Sequence, residues 1–304
     1  MVIAVIGSSA RFQPELAVKP VIDSASSVKP VVAFLVPEAP QALNMLTAAG
    51  VPNFRTPESC ADAVSAALLR CPPAGLSVPR PGAASKPTRQ LDEYAAYNLL
   101  DRLGVPHAPA VVVDVDAASI SLPFAYPVAV KLLSAEIAHK TEVGGVVLNV
   151  GSEHELRPAM RTIVDNVKAL HPELIVSQVL VQPMTSGLGE MLLGYRADPE
   201  AGPLVLLAAG GIYTEIYRDR SIRLAPVDRD TARSMIAELA ISRVFQGFRN
   251  KPHGDMEALA RTIVAVSQLA VDGSIDVVDA EINPLIIKRE GEGVVAVDAL
   301  VALG

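Results

Sequence analysis

Asp279-Ala280-Glu281-Ile282-Asn283-Pro284-Leu285, followed downstream by Val297-Asp298, is the stretch on which the reading of this chain turns. An apolar strand ends in an acid, an amide and a proline, and a second run, Gly293 to Val297, returns after the turn Glu290-Gly291-Glu292-Gly293. Folded as a hairpin about that turn, the runs bring Asn283 roughly opposite Asp298. An amide oxygen facing a carboxylate suits Mg²⁺, a hard cation that takes oxygen donors and keeps positions open for phosphate and water. An Asn-Pro turn beside a solvated aspartate satisfies the same residues, and spacing alone leaves both readings open.

The rest of the chain is long enough to give that hairpin a setting. Its 304 residues allow two domains, and with half of them hydrophobic and 19% charged they can bury a large core. Aromatics are few and Trp is absent, which favours closely packed α/β layers built from Ala, Val and Leu. A formal charge of −7 argues against nucleic acid or an anionic membrane as the main partner, so any phosphate site must be local. Cys60 and Cys71 stand in no metal-binding spacing, as expected of a reduced cytosolic protein. The opening Met1 to Gly7 lacks a basic signal region, and no apolar run approaches membrane length. The expectation is a cytoplasmic protein without a membrane anchor.

A Pro-, Gly-, Ala- and Ser-rich linker over 71–87 divides the chain unequally. Before it, strands at Val2 to Ile6, Pro30 to Val36 and Val51 to Arg55 alternate with helices at Pro14 to Ala25, Pro40 to Ala49 and Pro57 to Leu69. Alternating units of this kind imply a parallel, doubly wound sheet. Three strands are too few to close one, and a short apolar first strand needs neighbours on both edges. Residues 1–70 therefore read as the end of a larger flavodoxin-like domain.

After the linker, Leu91, Ala95, Leu99 and Leu103 keep helical spacing up to Gly104. Strands follow at Pro109 to Val113, Pro127 to Leu133, Val146 to Val150, Ser177 to Gln182, Glu190 to Tyr195 and Pro203 to Ala208. A long amphipathic helix capped by Ser152 runs to Leu170, and helices near Thr231 to Leu239 and Met256 to Leu269 lead into the hairpin. This order suits a two-lobed α+β clamp over 88–304.

Several residues in the clamp carry chemistry. Lys131 sits on the apolar strand Val128 to Leu133, where its charge must meet an anion or reach solvent. In the loop around His139, Gly144-Gly145 lets the backbone approach a phosphate and Lys140 adds charge. A neutral imidazole such as His139 can accept a phosphoryl group and pass it on, whereas His107, His154, His171 and His253 read as structural or solvent-facing. The strand that ends at Gln182-Pro183-Met184 marks a place where an adenine can lie between lobes, bonded to exposed backbone groups. Glu190 opens the next strand. Gly210-Gly211 forms a glycine turn before Glu215, with Arg218, Arg220 and Arg223 available to add charge there or to pair with Asp219.

These motifs occur in an order that resembles the ATP-grasp domain of the NDP-forming acyl-CoA synthetases, the superfamily of succinyl-CoA synthetase and ADP-forming acetyl-CoA synthetase. Glu281-Ile-Asn-Pro-Leu285 with Val297-Asp298 is similar to that family's metal-binding end, which implies Mg²⁺ ligands at Asn283 and Asp298 and a catalytic place for Glu281. His139-Lys-Thr-Glu-Val-Gly-Gly-Val146 resembles its phosphohistidine loop, which implies that His139 is a phosphoryl carrier. The same resemblance implies that Lys131 contacts the α- and β-phosphates. It puts adenine near Gln182 and Met184, gives Glu190 a ribose or adenine contact, and sets Gly210, Gly211 and Glu215 near the triphosphate or the moving loop. Ser8 to Glu15, Gly50 to Pro52 and Arg55 to Glu58 resemble the end of the family's CoA-ligase domain.

The implied reaction joins a carboxylic acid to CoA with ATP converted to ADP and phosphate. This chain would supply the nucleotide half, with ATP or ADP and Mg²⁺ bound here and CoA held by a further domain or subunit in an oligomeric assembly. A carboxylate–amine ligase and a non-catalytic nucleotide-binding protein are the alternatives; the His139 loop argues against the first.

Overall fold

The computed structural model describes residues 1–70, 89–210, 219–247 and 252–304. The chain divides into two compact units, Met1–Gly75 and Leu76–Gly304. The linker expected over 71–87 lies outside the described residues.

In the first unit, β1 (Val2–Ile6), β2 (Val31–Leu35) and β3 (Asn53–Phe54) form a parallel sheet in the order β1-β2-β3. They alternate with α1 (Ser9–Phe12), α2 (Pro14–Asp23), α3 (Pro40–Ala48) and α4 (Pro57–Leu68). The three longer helices each begin on a proline, a residue whose fixed φ suits the first helical position and whose missing N–H costs nothing there. The core is Val18, Leu35, Ala42 and Leu46, all fully buried. Among the described residues β1 pairs with β2 alone and leaves Val2, Ile3 and Val5 exposed.

The second unit holds two sheets. One has the order β5-β8-β6-β7, all antiparallel: β5 (Val111–Asp114), β8 (Gln178–Pro183), β6 (Val128–Leu132) and β7 (Val146–Val150). The apolar face of α6 (Glu153–Leu170), with Leu156, Ile163 and Val167, covers it. The other sheet runs β11-β10-β9-β12-β14-β4 with β13 also on β12. Its strands are β4 (Arg89–Gln90), β9 (Gly189–Asp198), β10 (Gly202–Ala209), β11 (Arg220–Leu224), β12 (Val277–Ile287), β13 (Val294–Ala296) and β14 (Ala299–Leu303). Three helices, α5 (Glu93–Leu103), α7 (Arg229–Glu238) and α9 (Met256–Ser267), join its core, and α8 (Ser242–Phe245) adds Phe245. Two sheets, each with its own helical cover, make the two-lobed α+β arrangement.

Three local expectations change. The strand thought to end at Pro284 continues to Ile287 as one eleven-residue strand, because the proline falls where the β12–β9 register shifts between Ile282 and Leu285. A residue without an N–H is tolerated at such an irregularity. Asn283 and Asp298 thus stand in mid-hairpin, at the break between β13 and β14, and not at its end. The Ser152 side chain makes no capping bond; the Glu155 carboxylate reaches back to the Gly151 N–H instead. No described helix is long and apolar enough to cross a membrane.

Candidate functional site

Helix α5 starts at a built cap. The Asp92 carboxylate accepts from the Ala95 N–H at 2.8 Å, and Gly104 ends the helix in the left-handed conformation. Glu93 is its first residue and stands at i−3, i−4 and i−7 from Ala96, Tyr97 and Leu100, so it shares their buried face. Its side chain is 1% exposed. An isolated carboxylate there would be prohibitively costly, and it is not isolated.

Lys131, the fourth residue of β6, points its ammonium at Glu93 Oε1 at 2.7 Å and donates to the Val297 carbonyl. Lys140 donates to Glu93 Oε2 and, at 3.0 Å, to Asp298 Oδ1. Lys131 also lies 3.9 Å from Asp298 Oδ2. Two lysines and two carboxylates thus balance in a largely dry place, where breaking a pair costs far more than at the surface. Tyr97 completes the shell, its hydroxyl 2.7 Å from Glu93 Oε1 and 3.0 Å from Gln182 Oε1. Gln182 Nε2 donates to the Val297 carbonyl at 2.9 Å. No buried side-chain polar atom among the described residues lacks a partner.

The charges tune one another. Burial drives the Asp298 carboxyl up, but Lys131 and Lys140 outweigh it and hold the group below the usual carboxylate range. Burial lowers Lys140, and Glu93 with Asp298 more than restores it, so its ammonium is held above the ordinary lysine value. Tyr97 is pushed far up, first by burial and then by the charge of Glu93, and stays a phenol. Its ring stacks on His107 at 4.4 Å, and His107 is in turn held by the Ala108 carbonyl and Asp101, a structural histidine as read from the sequence.

Beside this cluster opens a cavity of about 190 Å³ whose lining includes His139, Lys140, Glu281, Asn283 and Asp298. Residues 139 and 298 are far apart in sequence, and the fold brings them to one space. Asn283 faces Asp298 across the hairpin, with the Asn283 N–H on the Asp298 carbonyl at 3.2 Å and the Val297 N–H on the Pro284 carbonyl at 3.1 Å. The Asn283 amide donates to Glu281 at 3.2 Å, which leaves its oxygen free to act as an acceptor. His139 is exposed on its loop.

The paired glycines serve shape more than ligand contact. The Gly144 and Gly145 N–H groups turn inward, to the Thr141 carbonyl at 3.1 Å and the Lys140 carbonyl at 2.7 Å, and so close the loop on itself. Gly144 has φ +63°, and a Cβ at Gly145 would sit 2.9 Å from the Lys140 carbonyl. Donors spent in this way do not cradle a phosphate in this conformation. Likewise the Met184 N–H is engaged by the Pro127 carbonyl at 3.0 Å, and Gln182 turns its side chain into the ion cluster, so neither presents the exposed group expected for adenine. Glu190 is exposed on β9, and Gly210 packs on its backbone with the Gly210 N–H on the Glu190 carbonyl at 2.9 Å. Gly211, Glu215 and Arg218 lie outside the described residues. Arg223 pairs with Glu238, and Asp219 is taken by the Ala240 and Ile241 N–H groups.

Glu93 was not singled out in the sequence. The available signal was an acid at the helical spacing of the apolar face Ala96, Tyr97 and Leu100.

Comparison with known proteins adds the following. Residues 82–303 match the family model of the ATP-grasp domain. The chain is 36% identical over 199 residues to the acetate–CoA ligase [ADP-forming] I of Archaeoglobus fulgidus, covering 65% of this chain and 29% of that protein. It is 33% identical over 214 residues to the beta subunit of acetate–CoA ligase [ADP-forming] II of Pyrococcus furiosus, covering 69% of this chain and 90% of the subunit. In three dimensions it matches the Ca. Korarchaeum cryptofilum dinucleotide forming acetyl-coenzyme A synthetase 1, solved in complex with coenzyme A, Ca-AMPCP and HgCl+. The TM-score is 0.65 and the identity 31%, over 71% of this chain and 94% of that one. The chain therefore spans less than a third of the single-chain relative and nearly all of the separate beta subunit.

Proposed function

This chain belongs to the ATP-grasp domain family that includes the beta subunits of ADP-forming acetate–CoA ligases, and on that premise we propose that it is the nucleotide-binding, phosphoryl-transferring part of an NDP-forming acyl-CoA synthetase. One observation carries the reading: the single cavity shared by His139, Glu281, Asn283 and Asp298, with buried Lys140 in its wall and buried Lys131 behind Asp298.

In this reading Lys131 and Lys140 offset phosphate charge, and Asn283 and Asp298 give oxygen donors to Mg²⁺. The donor set fits such a guest. The Asn283 oxygen, left as an acceptor by the amide's bond to Glu281, shares the cavity with the Asp298 carboxylate, two hard oxygen donors of the kind taken by a cation that keeps waters and nucleotide oxygens. Bound there, Mg²⁺ would offset charge on the phosphates. Gln182, Met184 and Glu190 are assigned to the nucleoside end, with a local rearrangement at Gln182 and Met184 to free the groups now engaged with Val297 and Pro127. Gly210 is assigned to the triphosphate end.

The γ-phosphoryl of ATP passes to an imidazole nitrogen of His139: the bond to the ADP oxygen breaks, a P–N bond forms and the N–H proton is released. In this reading Glu281, which lines the same cavity, orients the imidazole. A substrate carboxylate then displaces the imidazole to give an acyl phosphate, and CoA as its thiolate displaces phosphate to give the thioester. Those later steps need a CoA-binding domain or subunit. Residues 1–70 form the end of a flavodoxin-like CoA-ligase domain and 88–304 the ATP-grasp domain, a division supported by the exposed apolar β1 and by the family match beginning at residue 82. The assembly is an oligomeric enzyme of the cytoplasm.

Incubation with γ-labelled ATP and Mg²⁺ tests the core of this. Acid-labile, base-stable label that His139→Ala abolishes is the expected result, and full label on His139→Ala would rule the carrier role out. Titration calorimetry of ADP with and without Mg²⁺ on the wild type, Asn283→Ala and Asp298→Ala checks the metal pair: equal affinity in all three proteins would dismiss it.

A further inference from the structure

We infer that Glu93 is a positioning residue, which ties the His139 loop to the strand-borne Lys131 and so holds the imidazole in the cavity of Glu281, Asn283 and Asp298. The phosphoryl-transfer part of this inference rests on the function proposed above; the seating of the loop does not.

The geometry is a three-point knot. One carboxylate gives Oε1 to Lys131 and Oε2 to Lys140, and both ammonium groups lie nearly out of solvent. Lys131 is fixed by its strand, with neighbours β8 and β7 on both sides. Lys140 is carried by a loop whose turns from His139 to Gly145 are internal, while its far end is held by the Asn166 amide on the Gly144 carbonyl and the Leu132 N–H on the Gly145 carbonyl. At the His139 end of the loop the Lys140 side chain is the link to the acids of the site, and it ends on two of them. Asp298 is one of them, but Asp298 is also the proposed cation ligand and cannot serve both fully. Glu93, buried and with Tyr97 donating to it, remains as counter-charge whatever Asp298 binds.

The two lysines depend on Glu93 unequally. Without its charge Lys131 keeps a strand, the Val297 carbonyl and Asp298, while Lys140 keeps Asp298 alone. The loss should fall on the loop and hence on His139, one residue away. A carboxylate that served only to neutralise a core ion pair would show no such selectivity.

Glu93→Gln in the full chain keeps the side-chain shape and removes the charge. By hydrogen exchange on the ligand-free protein, the amides of Glu142, Gly144 and Gly145 should exchange about tenfold faster, with β12 and β14 unchanged. At saturating Mg-ATP, labelling of His139 should slow about 100-fold, the scale of a small misplacement of a reacting group. Affinity for Mg-ADP should change by less than about threefold. Lys140→Met cuts the same link from its other end and should give the same loosening, with little added in the double variant. Loop exchange at the wild-type rate in Glu93→Gln would overturn the proposal. So would faster exchange throughout the unit with parallel losses in affinity and labelling, which is the mark of a core pair only. If Glu93→Gln does not fold, Lys140→Met decides: a loop exchanging as in wild type overturns the inference. Should the wild-type protein take no label, the proposed function falls and the exchange comparison still judges Glu93.

Discussion

Val2–Ile6 and Val128–Leu132 are both five-residue apolar strands, yet they meet opposite fates. In the first, Val5 is 65% exposed; in the second, Lys131 is 5% exposed. A scale of hydrophobicity would rank them the other way. Among the described residues β1 has one neighbour, β2, while β6 lies between β8 and β7 with α6 against it. Burial here is set by what surrounds a strand, and the lysine tolerates it because Glu93 arrives from another element to meet its charge.

The largest test breaks that match. Lys131→Ala should leave Glu93 underpaired and cost about 3–5 kcal/mol in urea denaturation. Calorimetry should show ATP and ADP binding weakened far more than adenosine binding. A loss no greater than that of a surface substitution would mean that the pair has no energetic role.

Next come the same substitutions on the two strands, and the donor behind Glu93. Val130→Thr puts a hydroxyl into a fully buried position of β6 and should cost about 2 kcal/mol. Tyr97→Phe removes one donor to a carboxylate that keeps both lysines, so about 1.5 kcal/mol is expected. Val5→Thr, on the open face of β1, should stay within about 0.5 kcal/mol. Equal losses for Val5→Thr and Val130→Thr would show that β1 is covered in solution, and addition of a CoA-binding partner that protected Val5 would sharpen the contrast instead.

Periodicity made most elements legible in the sequence: α5, α6, α9 and strands β5 to β10 lie within a few residues of their expected bounds. β11 and β14 were missed, the first for its interspersed arginines and the second because an acid at 298 directly precedes it. Asn283 opposite Asp298 was readable because both flank one hairpin, where register follows from the turn. Glu93 was not, because nothing local says which distant lysines a helix-start acid will meet. Gly144 and Gly145 were legible as glycines by need, but the need lies in closing a loop on the Lys140 carbonyl. Pro284 was read as a stop because a proline usually interrupts a ladder; here the ladder was already irregular.

That proline has a consequence for the valence of the atom opposite. Val297 gives its N–H to the Pro284 carbonyl, and an antiparallel pair of this kind would ordinarily receive one in return. Proline has none to give. The Val297 oxygen keeps both lone pairs, and Lys131 and Gln182 fill them. An atom missing from one imino acid thus frees the seat on which a lysine from the other sheet comes to rest.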